Sequence, residues 1–193
     1  MRPRQKTRSP LRCVAALVLT AGLSAPALAE VTSLDGNGFS VTLKQELTGV
    51  SSQDAWALMT RRVSTWWDAA HTWGGDASQL KLEAKANGCF CEWLPNGGWA
   101  EHLKVIHVAP GRVLRMRGAL GPLMQMGLEG TMTWSLQPLD DGSGSGSTTG
   151  LAIEWQYIVS GHRPEGFDDI APAVDAVLGE QLDRLVKRMT GAP

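Results

Sequence analysis

The tryptophan content points first to an apolar binding surface. The chain has eight tryptophans, and three of them, Trp66, Trp67 and Trp73, lie within eight positions. An indole ring offers a large apolar face and a single N–H donor, which suits the wall of a pocket for a flat or amphipathic molecule. We therefore predict that at least one of the three lines a ligand pocket. The alternative is that they only pack short helices onto a sheet.

A second group of candidate pocket residues follows further along the chain. The segment Leu120-Gly-Pro-Leu-Met-Gln-Met-Gly-Leu128 is apolar and interrupted by glycine. Its methionines, Met124 and Met126, could adapt to ligands of different shape, although the segment could equally be a plug of the core. Trp134 and Trp155 belong to alternating strand patterns that turn them inward, towards either a cavity or a packed core.

Ionisable residues that could do chemistry are few in the predicted strands. The candidates are Glu92, Glu101, His102, Arg115, Arg117 and Glu129. Glu101 and His102 are adjacent, so on a strand they face opposite sides and cannot act together as acid and base. We expect both arginines to be solvated. In the reverse register, a buried Arg117 could pair with Glu92 or with a ligand carboxylate, and we include Glu92 among the candidate ligand-binding residues.

No catalytic fingerprint occurs in the sequence. It lacks the G-x-S-x-G nucleophile elbow, the phosphate-binding loop, the H-E-x-x-H zinc motif and the dinucleotide-binding glycine pattern. We therefore predict no catalytic residue, no metal ligand and no cofactor. Catalysis stays open as an alternative, and it would need an inward-facing ionisable group with a shifted pKa, such as Glu92 or His102.

Cys89 and Cys91 are the only cysteines after Cys13. Residues two apart on a strand lie about 6.5–7 Å from each other, near the upper limit for a disulfide, so we predict two buried thiols. A metal site is the sharper alternative, because thiolates are good zinc ligands. A second ligand pair is missing, however, since the four histidines are scattered without metal-ligand spacing.

The first 29 residues have the composition of a secretory signal. A basic stretch ending at Arg12 precedes an apolar run from Cys13 to Leu23, and Ala27 and Ala29 supply the small side chains that signal peptidase accepts. The run is too short to cross a bilayer, which needs about 20 apolar residues. We predict cleavage before Glu30, secretion, and a periplasmic location if the source is Gram-negative. An uncleaved anchor is the alternative.

Residues 30–193 are predicted to form a single domain. They carry 13 basic residues against 19 acidic ones, whereas the whole chain has a net charge of −1. A domain with this acidic balance is a poor candidate for binding nucleic acid through its phosphates. No further membrane span is expected after the signal, and the oligomeric state is left open.

The hydrophobic patterns predict one strand, two short helices, six strands and a long closing helix. Residues 39–47 alternate as a strand does, Ser51 or Ser52 can cap the first helix, and a second short helix is expected over 65–73. The strand-like runs then cover 79–86, 88–95, 99–108, 112–119, 129–138 and 151–160. Residues 141–150 read as a flexible hairpin loop. An apolar stripe from Ile170 to Met189 predicts a closing helix capped near Asp168 or Asp169.

Local motifs within this order resemble the START-like (SRPBCC, birch-pollen-allergen-like) superfamily. Gly88-Cys-Phe-Cys-Glu92 is similar to the "G-G-x-F-x-E" start of the third strand in the branch related to heat-shock-ATPase activators. The run from Trp99 to Leu114 is similar to that branch's "G-x-V-x-x-x-x-P-x-R-L" strand pair, and Gly118 to Leu123 and Pro172 to Leu182 resemble exported bacterial members. The sequence departs from the pattern at Cys89-x-Cys91, where the wider branch usually carries an ordinary strand residue.

The resemblance implies an α+β helix-grip fold. In that fold a curved antiparallel sheet of about seven strands wraps a long C-terminal helix, with two short helices between strands 1 and 2. Members bind lipids, sterols, polyketides or plant hormones, and some are cyclases or dehydratases. The resemblance therefore implies a cavity for a hydrophobic ligand, while its motifs are structural rather than catalytic.

We predict an exported binding protein that holds a small hydrophobic or amphipathic ligand, lipid-, sterol- or polyketide-like, between the sheet and the C-terminal helix. One alternative is a cyclase-, dehydratase- or hydrolase-like enzyme that uses the same cavity. A second alternative is a periplasmic protein-interaction module.

Overall fold

The computed structural model of the chain describes residues 28–140 and 148–191, without the side chains of residues 28 and 29. The predicted signal segment therefore lies outside the described residues except for its last two positions, and most of the predicted 141–150 loop lies outside them too. In the described part of the chain, no helix is long and apolar enough to cross a membrane.

Eight strands form one antiparallel, curved sheet. In chain order they are β1 (Leu28–Asp35), β2 (Gly38–Thr48), β3 (Leu80–Leu82), β4 (Cys89–Trp93), β5 (Trp99–Ala109), β6 (Val113–Arg117), β7 (Glu129–Asp140) and β8 (Thr148–Ser160). Their order across the sheet is β1-β2-β8-β7-β6-β5-β4-β3. The last six are the six runs that the sequence predicts, and hydrophobic alternation places them well because each has one face on the core.

Strand β1 is the element that the hydrophobic pattern misses, so the sheet has eight strands rather than about seven. It pairs along its length with β2, from Leu28 opposite Lys44 to Asp35 opposite Gly38. As an edge strand it is mostly exposed, and its sequence consequently lacks alternation. The helical segment therefore lies between the second and third strands, not between the first and second.

Two helices carry most of the helical residues. Helix α1 (Ser52–Arg61) begins as predicted, because the Ser51 hydroxyl accepts a hydrogen bond from the Asp54 N–H at 3.1 Å. Helix α3 (Ile170–Thr190) lies across the inner face of the sheet. Its buried positions, which include Leu178, Leu182 and Leu185, follow the predicted apolar stripe.

The start of α3 differs from the prediction in one detail. Asp169 occupies the N-cap position but its side chain makes no capping hydrogen bond. Its carboxylate instead pairs with the guanidinium of Arg163, with N–O distances of 2.6 and 2.9 Å. This bidentate ion pair holds the preceding loop against the helix. The guanidinium takes the place of the helix N–H groups as hydrogen-bond donor to the carboxylate.

The predicted second helix over 65–73 is not an α-helix. The chain forms two separate 3₁₀ turns instead, Val63–Thr65 and Ala69–His71. The break falls at Asp68, whose backbone is extended and whose carboxylate accepts from the Ala70 N–H at 2.8 Å. An Asp in this geometry starts a new turn rather than continuing the previous one. The short helix α2 (Pro122–Gln125) lies in the methionine-containing segment.

Candidate functional site

A cavity of about 210 Å³ lies between α3 and the curved sheet. Helix α3 contributes Ile170, Ala173, Val174, Val177 and Leu178 to its wall, and the sheet side contributes Phe90 and His102. The remaining wall comes from Trp67, His71 and the segment from Leu120 to Leu123. Apart from the two imidazoles the wall side chains are apolar, which is the usual character of a site for small organic molecules.

A fully buried carboxylate stands behind one of these imidazoles. Glu92 is 0% exposed, and its Oε2 lies 3.0 Å from Nε2 of His102. The same carboxylate accepts backbone N–H groups from Trp73 at 2.9 Å and from Gly74 at 2.6 Å. A Cβ at position 74 would lie 3.0 Å from Oε1, so glycine there permits this close approach. Glu92 is thus fixed by three donors.

The hydrogen bonds of Glu92 determine the tautomer of His102. Both oxygens of Glu92 accept backbone hydrogen bonds, so we assign the imidazole proton to Nε2, which donates to Oε2. The other nitrogen, Nδ1, has no hydrogen-bond partner among the described residues, so in this tautomer it is an unused acceptor on a side chain that lines the cavity. Burial lowers the pKa of His102 below its usual value, and the hydrogen bond and charge of Glu92 offset this only in part. The group is therefore a neutral base at neutral pH.

A β-bulge lies at His102 in strand β5. In the pairing of β4 with β5, Phe90 is opposite Leu103 while Cys91 is opposite Glu101, so His102 is an extra residue on β5. His102 and Leu103 are consequently both buried, whereas Glu101 points to the outer face. The prediction that Glu101 and His102 face opposite sides is confirmed.

The Glu92–His102 pair itself was missed by the sequence reasoning. The signal that could have found it is Asn96-Gly97-Gly98, since Asn and Gly favour a tight turn between two strands. A tight turn there pairs Trp93 with Trp99 and Glu92 with Ala100, so His102 becomes the diagonal neighbour of Glu92. The proximity of Glu92 and His102 therefore follows from the register of β4 against β5 and not from a sequence motif.

A second imidazole, that of His71, lies at the more exposed side of the cavity. Its Nε2 is 3.4 Å from Oε2 of Glu180 on α3, and both side chains are partly exposed. This contact joins the turn Ala69–His71 to the helix, as does the ion pair of Arg184 with Asp68 at 2.9 Å. Screening by solvent makes such pairs weak, so they position the wall more than they stabilise the fold.

Tyr157 supports the segment that forms the far wall. Its buried hydroxyl donates to the Gly118 carbonyl and accepts from the Leu120 N–H, both at 3.0 Å. Burial raises the pKa of Tyr157, so the hydroxyl keeps its proton. The Leu120–Leu123 wall is thereby tied to strand β8.

The tryptophans predicted for the pocket separate into a wall residue, a core cluster and an exposed residue. Trp67 lies in the cavity wall, with its ring 5.0 Å from that of Phe90. Trp66, Trp134 and Trp155 are buried behind it, and the last two stack at 4.7 Å. The indole of Trp73 is 42% exposed, and its contribution to the site is the backbone N–H on Glu92.

The two methionines do not line this cavity. Met124 and Met126 are 42% and 39% exposed, on the side of α2 turned away from it, while Leu120, Pro122 and Leu123 face it. In strand β6, Arg115 and Arg117 are exposed and Leu114 and Met116 fully buried, as the favoured register predicts. Glu92 lies behind the wall rather than in it.

The prediction of two free thiols is wrong, because Cys89 and Cys91 form a disulfide. Their Cα atoms are 5.5 Å apart, closer than an ideal strand allows, and the pairing of β4 with β5 shifts register at the same place, between Phe90 and Cys91. The bond closes a loop of only three residues, for which the chain-entropy relation gives a stabilisation of about 1.6 kcal/mol.

Glu101 completes a small cluster with these cysteines. A carboxylate oxygen and the two sulfur atoms lie within 4.8 Å of one another. The thiolate is the form of cysteine that binds metal, and the disulfide ties up both sulfur atoms. The cluster is therefore not a metal site in this oxidation state.

The chain is similar to several solved structures, and the three described next are each less than 20% identical to it. CalU16 from Micromonospora echinospora is 10% identical with a TM-score of 0.46, over 86% of this chain and 88% of that one. A hypothetical protein from Helicobacter pylori is 17% identical with a TM-score of 0.48, over 77% and 86%. The di-domain ARO/CYC StfQ of the steffimycin biosynthetic pathway is 13% identical with a TM-score of 0.45, over 79% and 51%.

No protein-family model matches the sequence, and no curated protein matches it. The α+β architecture described above, a curved antiparallel sheet with a C-terminal helix, is consistent with a helix-grip fold.

Proposed function

We propose that the protein binds a small hydrophobic or amphipathic ligand in the cavity between the sheet and α3, with one polar group of the ligand on His102. The observation that carries this proposal is an apolar cavity whose wall includes one buried imidazole, that of His102, whose Nδ1 has no hydrogen-bond partner among the described residues. A ligand that donates a hydrogen bond, such as a phenol or an alcohol, suits Nδ1 of the assigned tautomer.

The volume of the cavity limits the size of the ligand it can hold. An apolar cavity of about 150 Å³ is enough to bind benzene. A cavity of about 210 Å³ therefore suits a single substituted ring or a short chain better than a whole sterol. A larger ligand would extend past Ala173, the exposed residue of the wall on α3.

Export is part of the proposal and rests on the composition of residues 1–29. An exported protein with this site would sequester or carry its ligand outside the cytoplasm, in the periplasm if the source is Gram-negative.

A matched pair of substitutions tests the site. Ala173→Trp places an indole at the cavity mouth, whereas Ala176→Trp makes the same change at an exposed position of the same helix outside the wall. We expect single-ring phenols to shift the methyl NMR signals of Val174 and Val177 in the native protein and in Ala176→Trp, but not in Ala173→Trp. Native mass spectrometry of protein purified from its host would identify the natural ligand.

The proposal fails if no phenol, alcohol or co-purified molecule perturbs these methyl signals. It also fails if Ala173→Trp and Ala176→Trp bind equally, because the ligand would then occupy another surface.

The Glu92–His102 pair favours acid–base catalysis as a second candidate. A neutral imidazole oriented by a buried carboxylate is the arrangement of a general base, and a proton taken from the ligand would go to Nδ1. If the protein is an enzyme, His102→Gln should abolish turnover and leave the methyl shifts caused by substrate in place. Turnover that survives this substitution would eliminate the catalytic reading while leaving the binding site intact.

A further inference from the structure

The Cys89–Cys91 disulfide lies outside the proposed binding site and stabilises the fold less than a long-range disulfide would. It joins residues two apart on one strand, so it restricts the unfolded chain far less than a long-range disulfide does. Cys91 is 4% exposed, whereas Cys89 is only partly buried. One sulfur atom of the bond is thus the more open to an attacking group and the other is the more enclosed.

Charged residues surround the disulfide on the outer face of the sheet. Strand pairing sets Lys104 directly opposite Cys89 and sets Lys81 and Glu101 directly opposite Cys91, one on each side. Residues directly opposite on antiparallel strands share a face and have close Cβ atoms. The Lys81 ammonium also pairs with Glu83 at 3.0 Å, and Lys104 is exposed.

We propose that Cys89–Cys91 is a redox-active disulfide that oxidises a pair of cysteine thiols in another polypeptide. A thiolate of the partner attacks Sγ of Cys89, the bond between the two sulfurs breaks, and Cys91 leaves with the electron pair and takes up a proton. The partner's second thiol then attacks its own sulfur in the mixed disulfide, and Cys89 leaves and is protonated. The partner loses two electrons and two protons, and this chain gains them.

Charged residues beside the disulfide favour both steps of this exchange, the attack of the partner thiolate and the departure of the cysteine. Lys104 attracts the incoming thiolate to the more open sulfur, and positive charge favours the thiolate form of a departing cysteine. The Glu101 carboxylate, within 4.8 Å of both sulfur atoms, can pass the proton between the departing thiolate and water. Glu101 is partly exposed, so it has access to solvent.

The first test is stoichiometric exchange in a Cys13→Ser background, which leaves Cys89 and Cys91 as the only cysteines. The folded protein is mixed with a reduced synthetic peptide that carries two cysteines, and both are followed by mass spectrometry. We expect one peptide disulfide to form for each protein disulfide lost, while circular dichroism shows that the protein stays folded. Reduction that occurs only after the protein is denatured would overturn the proposal.

The second test asks which sulfur is attacked. With Cys91→Ser the partly buried Cys89 is free, and with Cys89→Ser the buried Cys91 is free. We expect Cys89 to react with glutathione disulfide at least about tenfold faster than Cys91 does, because exposure and Lys104 both favour it. Equal rates, or a faster Cys91, would contradict the proposed order of attack.

The third test separates local charge from net charge. Lys104→Gln should slow the attack of the peptide thiolate about threefold at low salt, and added salt should reduce the difference. Lys187→Gln removes the same charge from an exposed position on α3 and should leave the rate unchanged. If both variants behave alike, Lys104 has no part in the exchange.

Discussion

Replacing Glu92 by glutamine is the sharpest test of the buried network. The substitution keeps the size and shape of the side chain but turns one acceptor oxygen into an NH₂ donor. The amide oxygen can still accept from Gly74, where the native distance is 2.6 Å. The amide nitrogen then faces the N–H of Trp73, 2.9 Å from the native oxygen, and two donors cannot bond to each other.

The cost follows from this loss. One backbone N–H is left without its acceptor beside a fully buried side chain, which costs about 1–3 kcal/mol. For a domain of this size each kcal/mol lowers Tm by about 2–4 °C, so the expected decrease is about 2–12 °C. The matched control is Glu154→Gln, whose native carboxylate pairs with Lys44 at 3.1 Å on the surface and is worth about 0–1 kcal/mol.

The same substitution should reverse the tautomer of His102. With the amide oxygen on Gly74, Nε2 accepts from the amide NH₂, so its proton moves to Nδ1, which becomes a donor in place of an acceptor. The pKa of His102 should also fall further, because the hydrogen bond and charge of Glu92 are what raise it. Thermal denaturation measures the decrease in Tm, and ¹⁵N NMR of the imidazole nitrogens measures the tautomer and the pKa of His102.

A Glu92→Gln protein as stable as Glu154→Gln, with its proton still on Nε2, would refute the reasoning. Such a result would mean that the carboxylate does not hold the contacts to Trp73 and His102 in solution.

Three further predictions follow from the described contacts. Tyr157→Phe leaves the Leu120 N–H and the Gly118 carbonyl without their partner and should cost about 1–3 kcal/mol for each group, measured by urea denaturation, with faster amide exchange at Leu120; unchanged exchange there would contradict the support assigned to Tyr157. Ser51→Ala removes the cap of α1 and should cost about 1 kcal/mol in the same assay, whereas Ser51→Asp should retain most of it. The pKa of His102 is lower in the folded than in the unfolded chain, so the unfolded chain takes up the proton first as pH falls. The free energy of unfolding, measured by urea denaturation, should therefore decrease below about pH 6.5 until the lower folded pKa is reached. His102→Gln should flatten this part of the pH dependence, and an identical dependence in the variant would contradict the prediction.

The sequence predicts the sheet and the long helix well for a simple physical reason. Strands such as β7 and β8 bury one face, so their apolar residues recur with a period of two, and this pattern places Trp134 and Trp155 on the buried face. Strand β1 buries little and leaves no such trace, although Asp35-Gly36-Asn37-Gly38 offers a turn signal in front of β2.

The site is less accessible to the same reasoning because it depends on departures from regular structure. A single register shift makes His102 an extra residue on β5 opposite the Phe90–Cys91 step, and the two cysteines on either side of Phe90 are within bonding distance. Alternation assumes an ideal strand, so it predicts the faces of Glu101 and His102 but not the disulfide. Trp73 shows a second limit of sequence patterns. Its contribution to the site is a backbone N–H that donates to Glu92, and side-chain patterns do not predict backbone hydrogen bonds.

The indole cluster behind the cavity also has an optical consequence. Trp66 lies 5.9 Å from Trp134 and 5.8 Å from Trp155, and the latter two stack with an interplanar angle of 15°. The strong far-ultraviolet transitions of rings this close couple, so the far-ultraviolet circular dichroism should carry an exciton couplet. Trp67 extends the cluster to the cavity wall, 5.7 Å from Trp66. A guest molecule against Trp67 should change that couplet, which makes the protein its own label-free reporter of occupancy.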